Sequence, residues 1–394
     1  MKTKTAKTKA AAMRQTLCGA EINPLPTDLP YETVSLCPEC SRKIAARLFE
    51  ENGKVYMEKT CPDHGSCRDL IFSDVDIYRQ ALSWHYDIGE GVSNPAVAKA
   101  ASCPEDCGMC DLHVSHTVLS NVDLTNRCNL TCPICFANAN VQDYIYELSF
   151  EQVKGMLQTL RDERPVHGRV VQFAGGEPTM HPDWFRILTL ANEMDFAHVQ
   201  CATNGIKFAD LDFAMKSKEA GLHTLYLQFD GLEPKLYKEI RGSEKLLDIK
   251  LKAIENVRKA GMKIVYVPTI VGGVNDDQVV PILQFALDNI DVSSGISFQP
   301  VALTGRIDDK EREKLRFTLS DMALRINETG YTTKADWFPL SCTSPISQLI
   351  SAMRGNPTCH ITCHPACGIG TYFFVDQNKK LLGMKYIMTE GNPI

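Results

Sequence analysis

At 394 residues with a formal charge of −6, the chain is long enough for one large domain with satellites. It lacks the basic excess on which general nucleic-acid binding rests, so nucleic acid is not an expected partner. Its 44% hydrophobic and 23% charged residues are those of a soluble globular protein, and no apolar run approaches the roughly 18 residues of a spanning helix. Sixteen cysteines behind a start with no apolar secretory region predict a reducing, cytoplasmic setting. Clustered thiols there read as metal ligands or redox groups.

In chain order, residues 1–14 are expected to be a disordered tail. Its lysines Lys2, Lys4, Lys7 and Lys9 carry a second, weaker reading, contact with anionic headgroups at a membrane surface. Residues 15–95 read as a rubredoxin-like or zinc-ribbon domain, with Cys18, the knuckle Cys37-Pro-Glu-Cys40, and Cys61-Pro-Asp-His64. Cys61 is the third ligand, and the fourth is Cys18 or His64. Four thiolates would hold mononuclear iron or zinc, whereas three thiolates and an imidazole favour zinc. Residues 70–95 look helical.

The loop 96–117 carries Cys103-x3-Cys107-x2-Cys110 with no strand before it. An auxiliary [4Fe–4S] cluster is expected, its fourth ligand open among Cys67, His113, His116 and an outside thiol. A second structural zinc site is the alternative.

Residues 118–310 alternate strands and helices. VLSNVDL, RVVQFA, HVQCAT, TLYLQF, KIVYVPTI and GISFQPV read as strands. Between them SFEQVKGMLQTLRDE shows a Ser cap and helical periodicity, and DDQVVPILQFALDNI reads as a helix interrupted by Pro281. Such alternation implies parallel strands with right-handed crossovers, in a six-stranded open barrel or a doubly wound sheet. Residues 311–394 form an extension with a charged helix over 311–330 and a strand in TYFFVD. Its Cys359, Cys363 and Cys367, with Cys342, are candidates for a further cluster, on a loop rather than a helix because of Pro365 and Gly368.

The spacing Cys128-x3-Cys132-x2-Cys135 follows a predicted strand. Three thiolates on one short loop can hold three irons of a cubane and leave the fourth iron open. These residues resemble the radical S-adenosylmethionine (SAM) superfamily over roughly 119–305. The resemblance implies a partial (β/α)6 barrel, flanked here by the N-terminal Cys-rich domain and the Cys-containing extension, with chemistry at the C-terminal ends of the strands. It implies SAM chelated by the open iron, reductive cleavage to a 5′-deoxyadenosyl radical, and hydrogen abstraction from a substrate. Gly175-Gly176-Glu177 matches the motif that meets the SAM ammonium. Asn204, Gln228 and Asp230 stand where the family places polar SAM contacts, and Ile134 where a bulky residue lies near adenine. Reduced ferredoxin or flavodoxin is the electron donor that the resemblance implies.

The order of the parts resembles one subgroup: CPxC…CPxHG, then CPxxCGxC before the radical SAM triplet, SFQPVALTGR, and HPxCGxGTYxFVD. That subgroup contains archaeal tetraether lipid synthase and bacterial relatives, with members also described as methyltransferases on a hydroxymethyl dihydropterin. It implies several clusters and a mononuclear iron or zinc site. The leading expectation is hydrogen abstraction from unactivated carbon, coupling lipid alkyl chains. The alternatives are methyl transfer to a pterin precursor, modification of a peptide, and a non-catalytic iron–sulfur electron carrier. Against the last stand the GGEP and strand-end polar residues, which an electron carrier does not need. Val118 stands near where the subgroup would place a further thiolate.

Overall fold

The protein is described here by a computed structural model covering residues 28–86, 91–99, 108–111, 113, 115–141, 143–302, 311–376 and 381–383. The expected ligands Cys18, Cys103 and Cys107 and the N-terminal lysines lie outside the described residues.

The N-terminal unit is an antiparallel meander of β1 (Tyr31–Leu36), β2 (Lys43–Glu51), β3 (Lys54–Cys61) and β4 (Gly65–Phe72). Strand β2 buries Ile44, Ala46 and Leu48 and exposes the residues between them, as the two-residue period of a strand requires. The turn into β3 uses Asn52 and Gly53, both at positive φ, the pair a tight hairpin demands. Helix α1 (Val75–Ser83) follows, and the Asp74 carboxylate caps it by accepting from the backbone N–H groups of Asp76 and Ile77.

The barrel strands are β5 (Ser120–Thr125), β6 (Val170–Gly175), β7 (His198–Thr203), β8 (Thr224–Gln228), β9 (Lys263–Val267) and β10 (Ser293–Ile296). All adjacent pairs are parallel, and strand order in the sheet follows chain order. A doubly wound sheet reverses direction at a switch point; monotonic order is barrel geometry. The helices are α2 (Phe150–Asp162), α3 (Trp184–Glu193), α4 (Leu211–Glu219), α5 (Pro234–Arg241), α6 (Leu246–Lys259) and α7 (Val279–Asp288). Ser149 and Gln152 close a reciprocal capping box at the start of α2. Pro281 does not interrupt α7. It lies in the first turn, where a missing N–H leaves no intrahelical bond unmade. Helix α5, absent from the sequence expectation, ends at Gly242 in the left-handed conformation. Phe173, Trp184, Leu225, Phe229 and Tyr266 fill the core between strands and helices.

The expected charged helix resolves into a short turn, Arg312–Leu315, and α8 (Leu319–Asn327), capped by Thr318. Helix α9 (Ser344–Arg354) follows, and the strand in TYFFVD is Phe373–Val375, paired with Leu381–Gly383. A second core joins the ends of the chain: Leu48, Val55 and Phe72 of the meander pack with Tyr78, Ile270, Phe317, Met322 and Trp337. Beside it, the Ser73 N–H donates to Ser320 Oγ at 2.7 Å and Arg316 donates to Asp69 at 2.9 Å.

Candidate active site

Strand β5 ends at Thr125, and the chain then runs into the loop of Cys128, Cys132 and Cys135 at the C-terminal end of the barrel. Strand β6 ends beside it. Gly176 N–H donates to Thr125 O at 2.8 Å, and Glu177 N–H to Arg127 O at 2.7 Å. The approach is so close that a Cβ on Gly175 would lie 2.4 Å from Thr125 O, and one on Gly176 2.3 Å from Arg127 O. Only glycine permits that approach. Asn140 closes the loop from the other side: it accepts from Cys128 N–H at 3.0 Å and donates to Cys128 O and Leu130 O.

Cys128, Cys132 and Cys135 are all half-buried. Burial pushes the Cys128 thiol up to about 11, with Glu177, Cys132 and Cys135 adding to the rise. Burial also raises Cys132, opposed by the Arg241 guanidinium. Three thiols that sense one another's charge make one electrostatic site. They do not close to single-ion distance, however: among the described residues only one group does, and it lies in the meander. Spread thiolates fit a cluster, in which each binds a different iron. Metal binding would supply the deprotonation that burial opposes.

The Glu177 carboxylate is 1% exposed. It accepts from Thr179 Oγ1 at 2.6 Å, Thr203 Oγ1 at 2.8 Å and the Asn204 N–H at 2.8 Å, tying the end of β6 to the end of β7. Burial raises its pKa. Asn204 Nδ2 in turn donates to Asn129 Oδ1 at 2.7 Å, within the cysteine loop.

Two cations missing from the sequence reading complete the site. Arg241, the last residue of α5, donates through Nε and Nη2 to the two oxygens of fully buried Asp230 at 2.8 and 2.9 Å. Its Nη1 donates to Ile134 O at 3.0 Å, and its guanidinium also meets Cys132 by hydrogen bond and charge. Lys250 of α6 is fully buried and donates to Asn204 O, Gln228 O and Gln228 Oε1 at 2.8, 2.8 and 2.9 Å. Desolvation lowers its pKa to about 8. Gln228 Nε2 donates to Asp230. Gly175, Gly176, Glu177, Asn204, Gln228 and Asp230 lie at or just beyond the strand ends and Ile134 in the cysteine loop; the Glu177 and Asp230 carboxylates are engaged by protein groups.

In the meander, Cys37, Cys40, Cys61 and His64 bring their ligand atoms within 4.8 Å of one another. Cys40 Sγ and Cys61 Sγ are 3.8 Å apart, and His64 Nδ1 lies 3.5 and 3.7 Å from Cys61 and Cys37 Sγ. A tetrahedron with arms of about 2.3 Å has edges of about 3.8 Å, so the set fits a single tetrahedral ion. Backbone N–H groups of Asp63 and His64 help hold the Cys61 thiol below its usual range. His64 occupies the fourth place in this group.

The extension's Cys342, Cys359, Cys363 and Cys367 are not gathered to single-ion distance, although the charge of Cys367 adds to the rise that burial gives the Cys363 thiol. Their segment packs on the loop carrying Cys110, which is buried. His360 N–H donates to His116 Nε2 at 2.9 Å, and the Ser115 and Thr362 hydroxyls lie 2.5 Å apart. The extension thus packs against residues 115 and 116, five and six positions after Cys110.

Residues 122–286 match the radical SAM superfamily, and residues 29–73 match the HMPTM N-terminal zinc ribbon domain. A 7,8-dihydro-6-hydroxymethylpterin dimethyltransferase of Methanocaldococcus jannaschii is 44% identical over 364 residues, 91% of this chain and 71% of that protein. The chain belongs to the radical SAM superfamily. It is a radical SAM enzyme, which implies a [4Fe–4S] cluster and SAM as cofactors. Less similar relatives match over less of their length. A probable GTP 3′,8-cyclase of Sulfolobus acidocaldarius is 29% identical over 52% of this chain and 63% of its own. An Fe-coproporphyrin III synthase of Methanosarcina barkeri is 32% identical over 36% of this chain and 34% of its own. No helix among the described residues is long and apolar enough to cross a membrane.

Proposed function

We propose that this radical SAM enzyme methylates a reduced hydroxymethylpterin, with the reactive cluster on Cys128, Cys132 and Cys135. The observation that carries the substrate class is the 44% identity to the pterin dimethyltransferase, sustained over 91% of the chain. The lipid-coupling expectation gives way to it, because none of the three relatives described above is named for lipid chemistry.

In this reading the cluster, when bound, supplies the electron that cleaves the carbon–sulfur bond of SAM. The chain's residues do the rest by position. The Gly175-Gly176 backbone, Asn204, Gln228 and Ile134 line the SAM side. Glu177 and Asp230 act through their neighbours, by fixing strand ends and Arg241. The zinc ribbon would hold zinc on Cys37, Cys40, Cys61 and His64, since three thiolates with one imidazole suit that ion. Cys103, Cys107 and Cys110 would serve one auxiliary cluster, and Cys342, Cys359, Cys363 and Cys367 a further one. Reduced ferredoxin or flavodoxin is the proposed donor.

The test is anaerobic reconstitution, then incubation with SAM, dithionite and 7,8-dihydro-6-hydroxymethylpterin, with a parallel arm containing archaeal lipid. The expected result is 5′-deoxyadenosine together with a pterin bearing one or two added methyl groups, and neither product from a triple Cys128, Cys132, Cys135→Ala variant. Coupled lipid without methylated pterin would overturn the substrate assignment. SAM cleavage surviving in the triple variant would overturn the cluster assignment.

A further inference from the structure

The helix end that closes α5 is stitched to the cysteine loop by more than one bond. Arg241 Nη1 donates to Ile134 O at 3.0 Å, between Cys132 and Cys135, while Ile134 N–H donates to Ile240 O at 3.4 Å. The guanidinium also meets Cys132 directly. Next along the chain Gly242 takes a left-handed conformation, where an added Cβ would come within 3.8 Å of Pro133 and of Thr131 O. Four consecutive residues of the loop, Thr131 to Ile134, thus sit against one arginine and the turn that follows it.

That arginine is nearly inaccessible, and its counter-charge is fully buried. Asp230 accepts from Arg241 through both oxygens, and also from the Thr269 N–H at 3.0 Å and from Gln228. Arg241 in turn donates to Thr269 Oγ1 at 2.9 Å. The bidentate fork fixes the guanidinium plane. Charges this deep are weakly screened. Net charge, hydrogen bonds to sulfur and solvent exposure set the potential of a thiolate-bound cluster. The pair supplies two of these at Cys132: a charge-assisted donor to the sulfur, and a positive group whose field is trimmed by the carboxylate behind it.

We propose that Arg241 and Asp230 are a positioning pair that sets the reduction potential of the cluster held by Cys128, Cys132 and Cys135. This rests on the cluster assignment made above. Adding one electron from dithionite makes the cluster more negative. A nearby cation therefore favours the reduced form, and an unbalanced carboxylate opposes it. Removing Arg241 alone takes away the bidentate partner of Asp230, leaving the Lys250 amine as the remaining cation acting on that carboxylate, and makes the cluster harder to reduce. Removing only the Asp230 charge leaves the guanidinium uncompensated and makes it easier.

The experiment is a dithionite–dye redox titration of the reconstituted, SAM-free protein, followed by EPR of the reduced cluster. It uses wild type, Arg241→Gln, Asp230→Asn and the double variant. The auxiliary sites are identified by the signals that persist in the triple cysteine variant. Arg241→Gln should lower the reduction equilibrium constant at least tenfold, 59 mV for a one-electron couple. Asp230→Asn should shift it the other way, and the double variant should return to within threefold of wild type. Opposite signs are the decisive readout, because loosened packing that lets water in would move both single variants in the same direction. Should Arg241→Gln fail to load iron, Asp230→Asn alone carries the test: an unchanged or lowered potential overturns the proposal. Wild-type protein lacking the EPR signal that the triple variant abolishes would instead overturn the cluster assignment, and this inference with it.

Discussion

Replacing Gly176 by alanine should damage both the fold and the site. A Cβ there would lie 2.3 Å from Arg127 O, 2.7 Å from Arg127 C and 2.8 Å from Asn126 O. All three are backbone atoms of the segment that leads into Cys128, and no side-chain rotation can relieve the contact. Restoring ordinary separation requires opening the gap by about 1 Å, an overpacking strain worth about 1–3 kcal/mol. The opening also breaks or stretches the bonds from Gly176 N–H to Thr125 O and from Glu177 N–H to Arg127 O, each worth about 1 kcal/mol. The expected loss is about 3–5 kcal/mol. Urea denaturation of the metal-free protein should report it, and iron bound after reconstitution should fall because Arg127 carries Cys128 with it. Gly155→Ala is the matched control: its Cβ meets nothing within 4 Å, so the change should be neutral or stabilise by up to about 1 kcal/mol. Equal stability and equal iron in Gly176→Ala and wild type would refute the close-approach account of the two glycines.

Lys250 gives a pH signature. Its amine titrates at about 8 in the folded chain against an ordinary 10.5. Below pH 8 both states hold the proton and the fold carries the burial cost. Between 8 and 10.5 the unfolded chain binds the proton that the folded chain has released, so stability rises with pH across that window, by about 3 kcal/mol in total. Lys250→Met should abolish that rise; parallel urea-denaturation curves for both proteins at pH 7.5 and pH 10 would contradict the buried-cation reading. Cys61→Ser should remove one bound zinc and reduce hydrogen-exchange protection at the end of the meander formed by residues 37–44 and 61–65, where the buried apolar cluster among the described residues is Cys37, Ile44 and Cys61, while the β2–β4 residues in the second core stay protected; unchanged zinc stoichiometry would exclude Cys61 as a ligand. Cys201 is fully buried, and burial raises its thiol strongly; iodoacetamide should label it only after unfolding, and labelling in the native protein would show that β7 opens locally.

The parts legible in sequence are those whose chemistry is written in local spacing. The triplet at Cys128, the glycines at 175 and 176, the knuckle at Cys37 and Cys40 and the Ser149 cap all sit within a few residues of the group they serve. Strand order is the first thing pattern leaves undecided, since barrel and doubly wound sheet share the same alternation. Arg241 escapes because its partners Asp230, Ile134 and Thr269 become neighbours only when α5 docks on the barrel mouth. Lys250 leaves a trace. It lies three and four residues from Leu246, Leu247, Ala253 and Ile254, on the buried stripe of its helix, where a lysine has to find acceptors. The meander is a different case. The alternation of Ile44, Ala46 and Leu48 marks a strand, but the density of Cys and Pro around it draws attention to the metal. His116 and His360 are 244 residues apart in their hydrogen bond, and no local pattern announces such a pair.

The shared core of meander and extension has a consequence for synthesis. Leu48, Val55 and Phe72 are covered by Phe317, Met322 and Trp337, which leave the ribosome much later. At roughly 5–20 residues per second, the apolar side of the zinc ribbon waits on the order of ten to fifty seconds for its cover. During that interval helix α1, which packs on the same side through Ile77, Tyr78 and Leu82, a bound metal ion and the hydrogen bonds of the hairpins hold the strands together. Zinc supply during translation, rather than in the finished enzyme, is then the point at which this end of the protein is most exposed to aggregation.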